Sequence, residues 1–385
     1  MSQQRTVIAM LDGLGQDYAT AQPLPTLDRI RALGGYAPGR AMMPSVTNTN
    51  NVSIACGAPP AEHGITGNFY FDPESGAGDY MEEQAFVLVP TVLERARDQG
   101  VRSVLLTSKE KTVRLLGLGA DLAVAAESPP PELARRFGPP PDIYSAEINH
   151  WLWKVAIDLL KHRPEIGLLY VHTTDYPMHA WAPQDERSQQ HLRGLDALIG
   201  EALDAAPGVR LLATADHGMN PKRRCWDLAR ACAERDAPVR VAISAEKDRY
   251  VRHHRTFGGT AYVWLREPGD RDRVATAICG LDGVEEVLAR GEAAARLRLH
   301  AGRIGDLVVL GDADTVFGDL QEGAVEALPD DYRSHGSLHE VDVPLYVLDQ
   351  REDGPLLDGL HDNFDLTRRL YRDRPYHPHG AREER

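Results

Sequence analysis

Leu211-Leu212-Ala213-Thr214-Ala215-Asp216-His217-Gly218 is the stretch on which the fold turns. It follows the turn-forming Pro207-Gly208, is apolar over too few residues for a helix, and stops at a carboxylate and an imidazole. The pattern predicts a buried strand that delivers Asp216 and His217 side by side at its carboxyl end. In an open α/β sheet that edge is where ligands bind, and Asp beside His suits zinc or a similar divalent ion. Alone, the same residues also fit a helix N-cap Asp followed by a turn. Partners elsewhere in the chain weigh against that reading.

Val7-Ile8-Ala9-Met10-Leu11 predicts a first buried strand, which also ends in a carboxylate and glycines, Asp12-Gly13-Leu14-Gly15. A dinucleotide site would need a third glycine and an acidic ribose partner, and both are missing. Asp12 is instead a candidate second carboxylate for the ion beside Asp216. Gly167 to Val171 predicts another strand, followed by His172-Thr173-Thr174-Asp175-Tyr176-Pro177-Met178-His179. Asp175 and His179, four apart, share one side of a helical turn, and Pro177 fits a first turn.

Two polar stretches supply other chemistry. Met43-Pro44-Ser45-Val46-Thr47-Asn48-Thr49-Asn50-Asn51-Val52-Ser53-Ile54 is rich in hydroxyls and amides, a composition of turns and helix N-caps. Beside a metal and a helix N-terminus, one of its hydroxyls would serve as a nucleophile. The strand pattern Val101 to Thr107 runs into Ser108-Lys109-Glu110-Lys111, where an extended backbone would aim both lysines to one side and a helix would splay them.

The chain of 385 residues, 42% apolar and 26% charged, has room for a large core and one or two domains. Its net charge of -14 argues against nucleic acid and anionic membranes, so an anionic substrate would need locally supplied positive charge. Cys56, Cys225, Cys232 and Cys279 form no C-x-x-C pair, and no segment has the length of a signal-peptide core or a membrane span, so a cytoplasmic protein is expected. Ser145 to Lys161 predicts an amphipathic helix. From Pro238 to Phe317 strands at 260–265, 284–289 and 306–310 alternate with helices at 271–281 and 292–299. The organisation expected is a core of residues 1–237 and 330–385 with an inserted α+β cap lobe, 238–329. Arg252, His253 and His254 at its entrance read as a charged turn. A last strand, Val343 to Leu348, a closing helix from Asn363 to Tyr371 and a polar tail with His377 and His379 complete the chain.

The order of Asp12, the hydroxyl stretch, Asp175-x-x-x-His179, Asp216-His217-Gly218 and a late His335-Gly336 resembles the alkaline phosphatase superfamily, nearest its nucleotide pyrophosphatase/phosphodiesterase branch. Within that branch, residues 46–51, 107–111, 173–176 and 215–222 resemble the phosphonoacetate hydrolase family. The resemblance implies an α/β, alkaline-phosphatase-like fold, with a mostly parallel central sheet flanked by helices and a smaller inserted α+β lobe.

It also implies two zinc ions. Asp175, His179 and His335 would hold one; Asp12, Asp216, His217 and the nucleophile Thr47 would hold the other. Thr47 is preferred to Thr49 because Thr47, Asn50, Ser53 and Gly57 keep the family's spacing, and His335-Gly336 matches better than His339. Asn68 would help hold phosphonate oxygens; Lys109 and Lys111 would hold the substrate carboxylate. The activity implied is hydrolysis of phosphonoacetate to acetate and phosphate through a phospho-threonine. The alternatives are a two-metal phosphodiesterase or nucleotide pyrophosphatase, and a metal-binding protein without catalysis. The partner expected is a small anionic substrate, with no nucleic acid and no membrane; a homodimer stays open.

Overall fold

A computed structural model describes residues 4–249, 255–349 and 357–372. The cluster Arg252, His253, His254 and the tail histidines His377 and His379 lie outside the described residues. In chain order the strands of the two larger sheets are β1 (Thr6–Met10), β2 (Tyr36–Arg40), β3 (Arg102–Thr107), β4 (Leu122–Ala125), β5 (Ile166–His172), β6 (Arg210–Thr214), β7 (Val241–Ser244), β8 (Thr260–Trp264), β9 (Val284–Ala289), β10 (Leu307–Gly311) and β11 (Asp342–Leu348). The helices that matter for the site are α1 (Thr47–Cys56), α2 (Glu110–Leu116), α3 (Glu147–His162), α4 (Tyr176–Ala180) and α5 (Glu186–Ala205).

The central sheet has seven strands in the order β2-β11-β6-β1-β5-β3-β4. Its β6-β1-β5-β3-β4 run is parallel, while β11 is antiparallel to both β6 and β2. Both faces are covered, which is why β1 reads as one continuous apolar run. Val7 and Ala9 pack into the cluster that holds Ile148, Leu152, Val155 and Leu159 of α3 and Leu192, Leu195 and Ile199 of α5. Ile8 and Met10 point the other way, into a second cluster with Val52, Ile54 and Cys56 of α1.

The register sets the site. Met10 lies opposite His172 on β5 and opposite Thr214 on β6, and Thr107 of β3 lies opposite His172. Four neighbouring strands therefore end at one level, and the residues just beyond them, Asp12, Lys109, Asp175 and Asp216, emerge at one edge.

The four-stranded sheet, β7-β8-β10-β9, is antiparallel throughout. A three-stranded sheet joins Arg224–Trp226 to Thr315–Phe317 and Val325–Ala327. No helix among the described residues is long and apolar enough to cross a membrane.

Two expectations need adjustment. The closing helix is one turn, Asp365–Arg368. The stretch after β3 is mixed: Lys109 is extended, with φ -116° and ψ 136°, and helix begins at Glu110, so Lys111 sits in its first turn. Strands β2, β4 and β7 are additions to the sequence reading. β2, Tyr-Ala-Pro-Gly-Arg, carries a proline and a glycine that count against a strand, but it is an edge strand, where a missing N–H costs nothing.

Candidate metal centre

Glycines let the strand tips meet. Gly13 adopts φ +74°, and a Cβ there would sit 3.0 Å from the Asp175 Cβ; a Cβ on Gly15 would sit 2.8 Å from the Gly218 Cα. The loops after β1, β5 and β6 can therefore close on one another. Asp216 strengthens the closure, its Oδ1 accepting from the Gly13 N–H and the His217 N–H at 3.0 Å each.

Six candidate ligands converge. Donor atoms of Asp12, Asp216 and His217, and of Asp175, His217 and His335, lie within 4.8 Å of one another in each set. His179 Nε2 is 2.8 Å from Asp175 Oδ2, and His335 Nε2 is 3.7 Å from the same oxygen. The His217 and His335 rings stack with centroids 3.6 Å apart. His339 is elsewhere, exposed and paired with Glu285 Oε2 at 2.7 Å.

The second ring nitrogens carry the metal argument. Nδ1 of His179 donates to Arg333 O at 2.7 Å, Nδ1 of His217 to Gly218 O at 2.9 Å, and Nδ1 of His335 to Ser45 O at 2.9 Å. A carbonyl only accepts, so each ring carries a proton on Nδ1 and leaves Nε2 facing the cluster, the nitrogen by which such a histidine would ligate a metal. Asp12 Oδ2 and Asp216 Oδ2 are buried, and among the described residues no formed hydrogen bond reaches either.

Burial, with the charges of Asp175 and Asp216 beside it, pushes the Asp12 carboxyl up to about 7, and burial pushes Asp216 up to about 6. Burial, with His217 and His179 nearby, holds the His335 imidazole well below its ordinary range and thus neutral. Crowded carboxylates and imidazoles in a dry pocket are a donor set for zinc or a similar divalent cation.

Thr47 stands over this cluster. Its Oγ1 is 3.2 Å from His217 Nε2 and 3.4 Å from Asp12 Oδ1. It is the first residue of α1, whose N-cap, Val46, supplies no side-chain cap. The polar helix is buried because its amides are engaged. Asn48 Nδ2 donates to Gly67 O and Met81 O, while Asn50 Oδ1 accepts from the Met42 N–H and its Nδ2 donates to Met42 O. The Asn48 bond draws the Gly67-Asn68 loop onto the first turn of α1. Asn68 is buried and donates from Nδ2 to Glu246 O at 3.3 Å.

The lysines meet acids from the segment that follows β7. Lys111 pairs with Asp248 in a buried contact. Lys109 is pulled down by burial, but the charges of Asp175, Asp12, Asp248 and Glu246 outweigh this and hold its ammonium above the ordinary range. Both lysines and the carboxylates thus share one electrostatic neighbourhood.

Several contributors carried no signal of their own in the sequence. Lys222 and Glu340 form a fully buried ion pair at 2.7 Å, and Lys222 also donates to Ala313 O. Arg333 donates to Met178 O and Met219 O, bracing the loops that carry His179 and His217. Glu246 and Asp248 follow β7, a strand itself absent from the sequence reading. Such residues are recognised only by what they touch.

A mostly parallel sheet with carboxylates, imidazoles and a hydroxyl gathered at its carboxyl edge is an alkaline-phosphatase-like architecture. The chain belongs to the type I phosphodiesterase / nucleotide pyrophosphatase family, whose sequence profile matches residues 6–338. Phosphonoacetate hydrolase from Sinorhizobium meliloti, solved with phosphonoacetate, superposes with a TM-score of 0.84 at 29% identity, covering 96% of this chain and 95% of that one. The same enzyme with phosphonoformate gives 0.83 at 29% identity, with the same coverage of both chains. Murine ectonucleotide pyrophosphatase / phosphodiesterase 5 shares the fold, with a TM-score of 0.63 at 16% identity, covering 89% of this chain and 88% of the mouse chain. An uncharacterised pyrophosphatase/phosphodiesterase of Schizosaccharomyces pombe is 23% identical over 227 residues, 57% of this chain. The match spans 45% of that curated relative's own length.

Proposed function

We propose that the protein hydrolyses the C–P bond of phosphonoacetate, giving acetate and phosphate, with Thr47 as nucleophile at a two-zinc site. Asp175, His179 and His335 would hold one ion, and Asp12, Asp216, His217 and Thr47 the other. Ions bound there supply Lewis acidity, neutralising phosphonate oxygens and making the threonine hydroxyl a better nucleophile. Asn68 would contact the phosphonate, and Lys109 with Lys111 the carboxylate. Residues 238–329 would act as the cap lobe.

The observation that carries this reading is the position of Lys109, two residues past the end of β3 at the sheet edge that also carries Asp12 and Asp175. Attack by Thr47 Oγ on phosphorus breaks the C–P bond, and the electron pair leaves with carbon. A bare carbanion is too unstable, but a carboxylate one carbon away spreads the charge as an enediolate. Lys109 and Lys111 stabilise that charge where it develops, which accelerates the step beyond what ground-state binding gives. The proton released by the Thr47 hydroxyl passes to solvent and the carbon takes one up in return, and one water then hydrolyses the phospho-threonine to phosphate and free threonine.

Family membership favours a second reading, hydrolysis of phosphodiesters or nucleotide pyrophosphates. Phosphate release from phosphonoacetate, assayed beside cleavage of a chromogenic diester with zinc present, separates the two. Turnover of phosphonoacetate is expected; turnover of the diester alone would defeat the C–P reading.

A further inference from the structure

We infer that His172, which none of the roles above uses, is a positioning residue for Asp12: its Nε2–H steers Asp12 Oδ2, so that Oδ1 is presented to Thr47 and the cation cradle. This rests on the proposed role of Asp12 as a ligand.

His172 ends β5, is fully buried and lies opposite both Met10 and Thr107 in the sheet. Its Nδ1 meets Thr107 Oγ1 at 2.9 Å and Asn51 Nδ2 at 3.1 Å. On its other side Asn51 Oδ1 meets Tyr170 OH at 2.7 Å, and the amide is placed with Nδ2 toward the ring. Asn51 Nδ2 is then a donor, and a ring nitrogen that receives an amide N–H carries no proton. The imidazole is therefore neutral and protonated at Nε2, the reverse of His179, His217 and His335, which donate from Nδ1.

Nε2 faces Asp12 Oδ2 at 3.4 Å. That is longer than the roughly 2.7–3.2 Å of a formed N–H···O bond, so the contact is an electrostatic steer that a few tenths of an ångström would close. Asp12 Oδ1 lies on the other side, 3.4 Å from Thr47 Oγ1 and 3.6 Å from His217 Nε2. Thr107 extends the link, because its Oγ1 also faces the Lys109 N–H at 3.4 Å. One imidazole thus touches both the carboxylate of the cradle and the strand end that carries the lysine arm.

The test uses the full chain. Imidazole ¹⁵N NMR of the wild type should show His172 protonated at Nε2, and a proton on Nδ1 would overturn the inference without any variant. Chelator competition should show His172→Phe lowering affinity for one of two zinc ions by about 10- to 100-fold, the usual size of an outer-shell loss. His172→Gln, which keeps a side-chain N–H donor, should recover part of it. A buried histidine with a packing role only would change the Tm of the metal-free protein and leave zinc affinity unchanged; that outcome overturns the inference while the zinc reading stands. Wild-type protein that takes up no zinc would remove both.

Discussion

The two ends of the site are built on opposite electrostatic terms. The cradle end gathers Asp12, Asp175 and Asp216 where burial makes their charges costly, and its three imidazoles are aimed by backbone carbonyls. The lysine end is positive but already answered from within the protein, since Lys111 is paired with Asp248 and Lys109 feels four acids. An excess of unneutralised negative charge calls for cations. In the proposed reading the two ammoniums, partly answered by these acids, would meet the single carboxylate of the substrate.

The comparison breaks most simply at Thr47. Thr47→Ala should reduce turnover on the order of 10⁴-fold or more while the cradle still takes up zinc. Residual activity near wild type would mean that another group attacks phosphorus.

The cradle is tested next through Asp216→Asn, which keeps the Oδ1 acceptor for Gly13 and His217 but removes the charge. Zinc affinity should fall by about 100-fold or more, read by chelator competition, with phosphonoacetate turnover lost in parallel. Unchanged affinity would take Asp216 out of the ligand set.

At the other end the two lysines should differ. Lys109→Ala should lower kcat/KM for phosphonoacetate by about 100-fold and leave any diester cleavage nearly untouched. Lys111→Ala should cost about 10-fold, because Asp248 already spends part of its charge. Equal losses on both substrates would place the lysines outside carboxylate recognition.

The smallest effect is a pH dependence of the cradle. Asp12 titrates near 7 and Asp216 near 6 in the metal-free fold, raised by burial first, against about 3.9 in an unfolded chain. Between pH 4 and 7, roughly, the fold holds protons that the unfolded chain has released. Its stability from these groups therefore falls as pH rises across that window. Zinc, which displaces those protons, should raise Tm more at pH 8 than at pH 5; a shift that is flat or larger at pH 5 would contradict the assignment.

The sheet was legible because its strands are buried on both faces and so appear as uninterrupted apolar runs, each stopping at a polar residue. Asp12, Asp175 and Asp216 could be named for that reason alone; family resemblance chose Thr47 from the hydroxyl stretch, gave the two lysines their role, and added Asn68 and His335. β2 and β7 gave little signal, one through its proline and glycine, the other through its brevity. The polar run of α1 reads as turn-forming until its amides are seen to be engaged, Asn48 with Gly67 and Met81, Asn50 with Met42.

By itself, then, the sequence determined which groups stand at the strand ends, because apolar periodicity and the residues that interrupt it are local properties. Only the tertiary structure decided which of them meet, which carbonyl each of the three cradle imidazoles faces, and that Asp248 answers Lys111. Those outcomes depend on register between strands and on carbonyls and carboxylates distant along the chain, and charge and hydrogen bonding act through space.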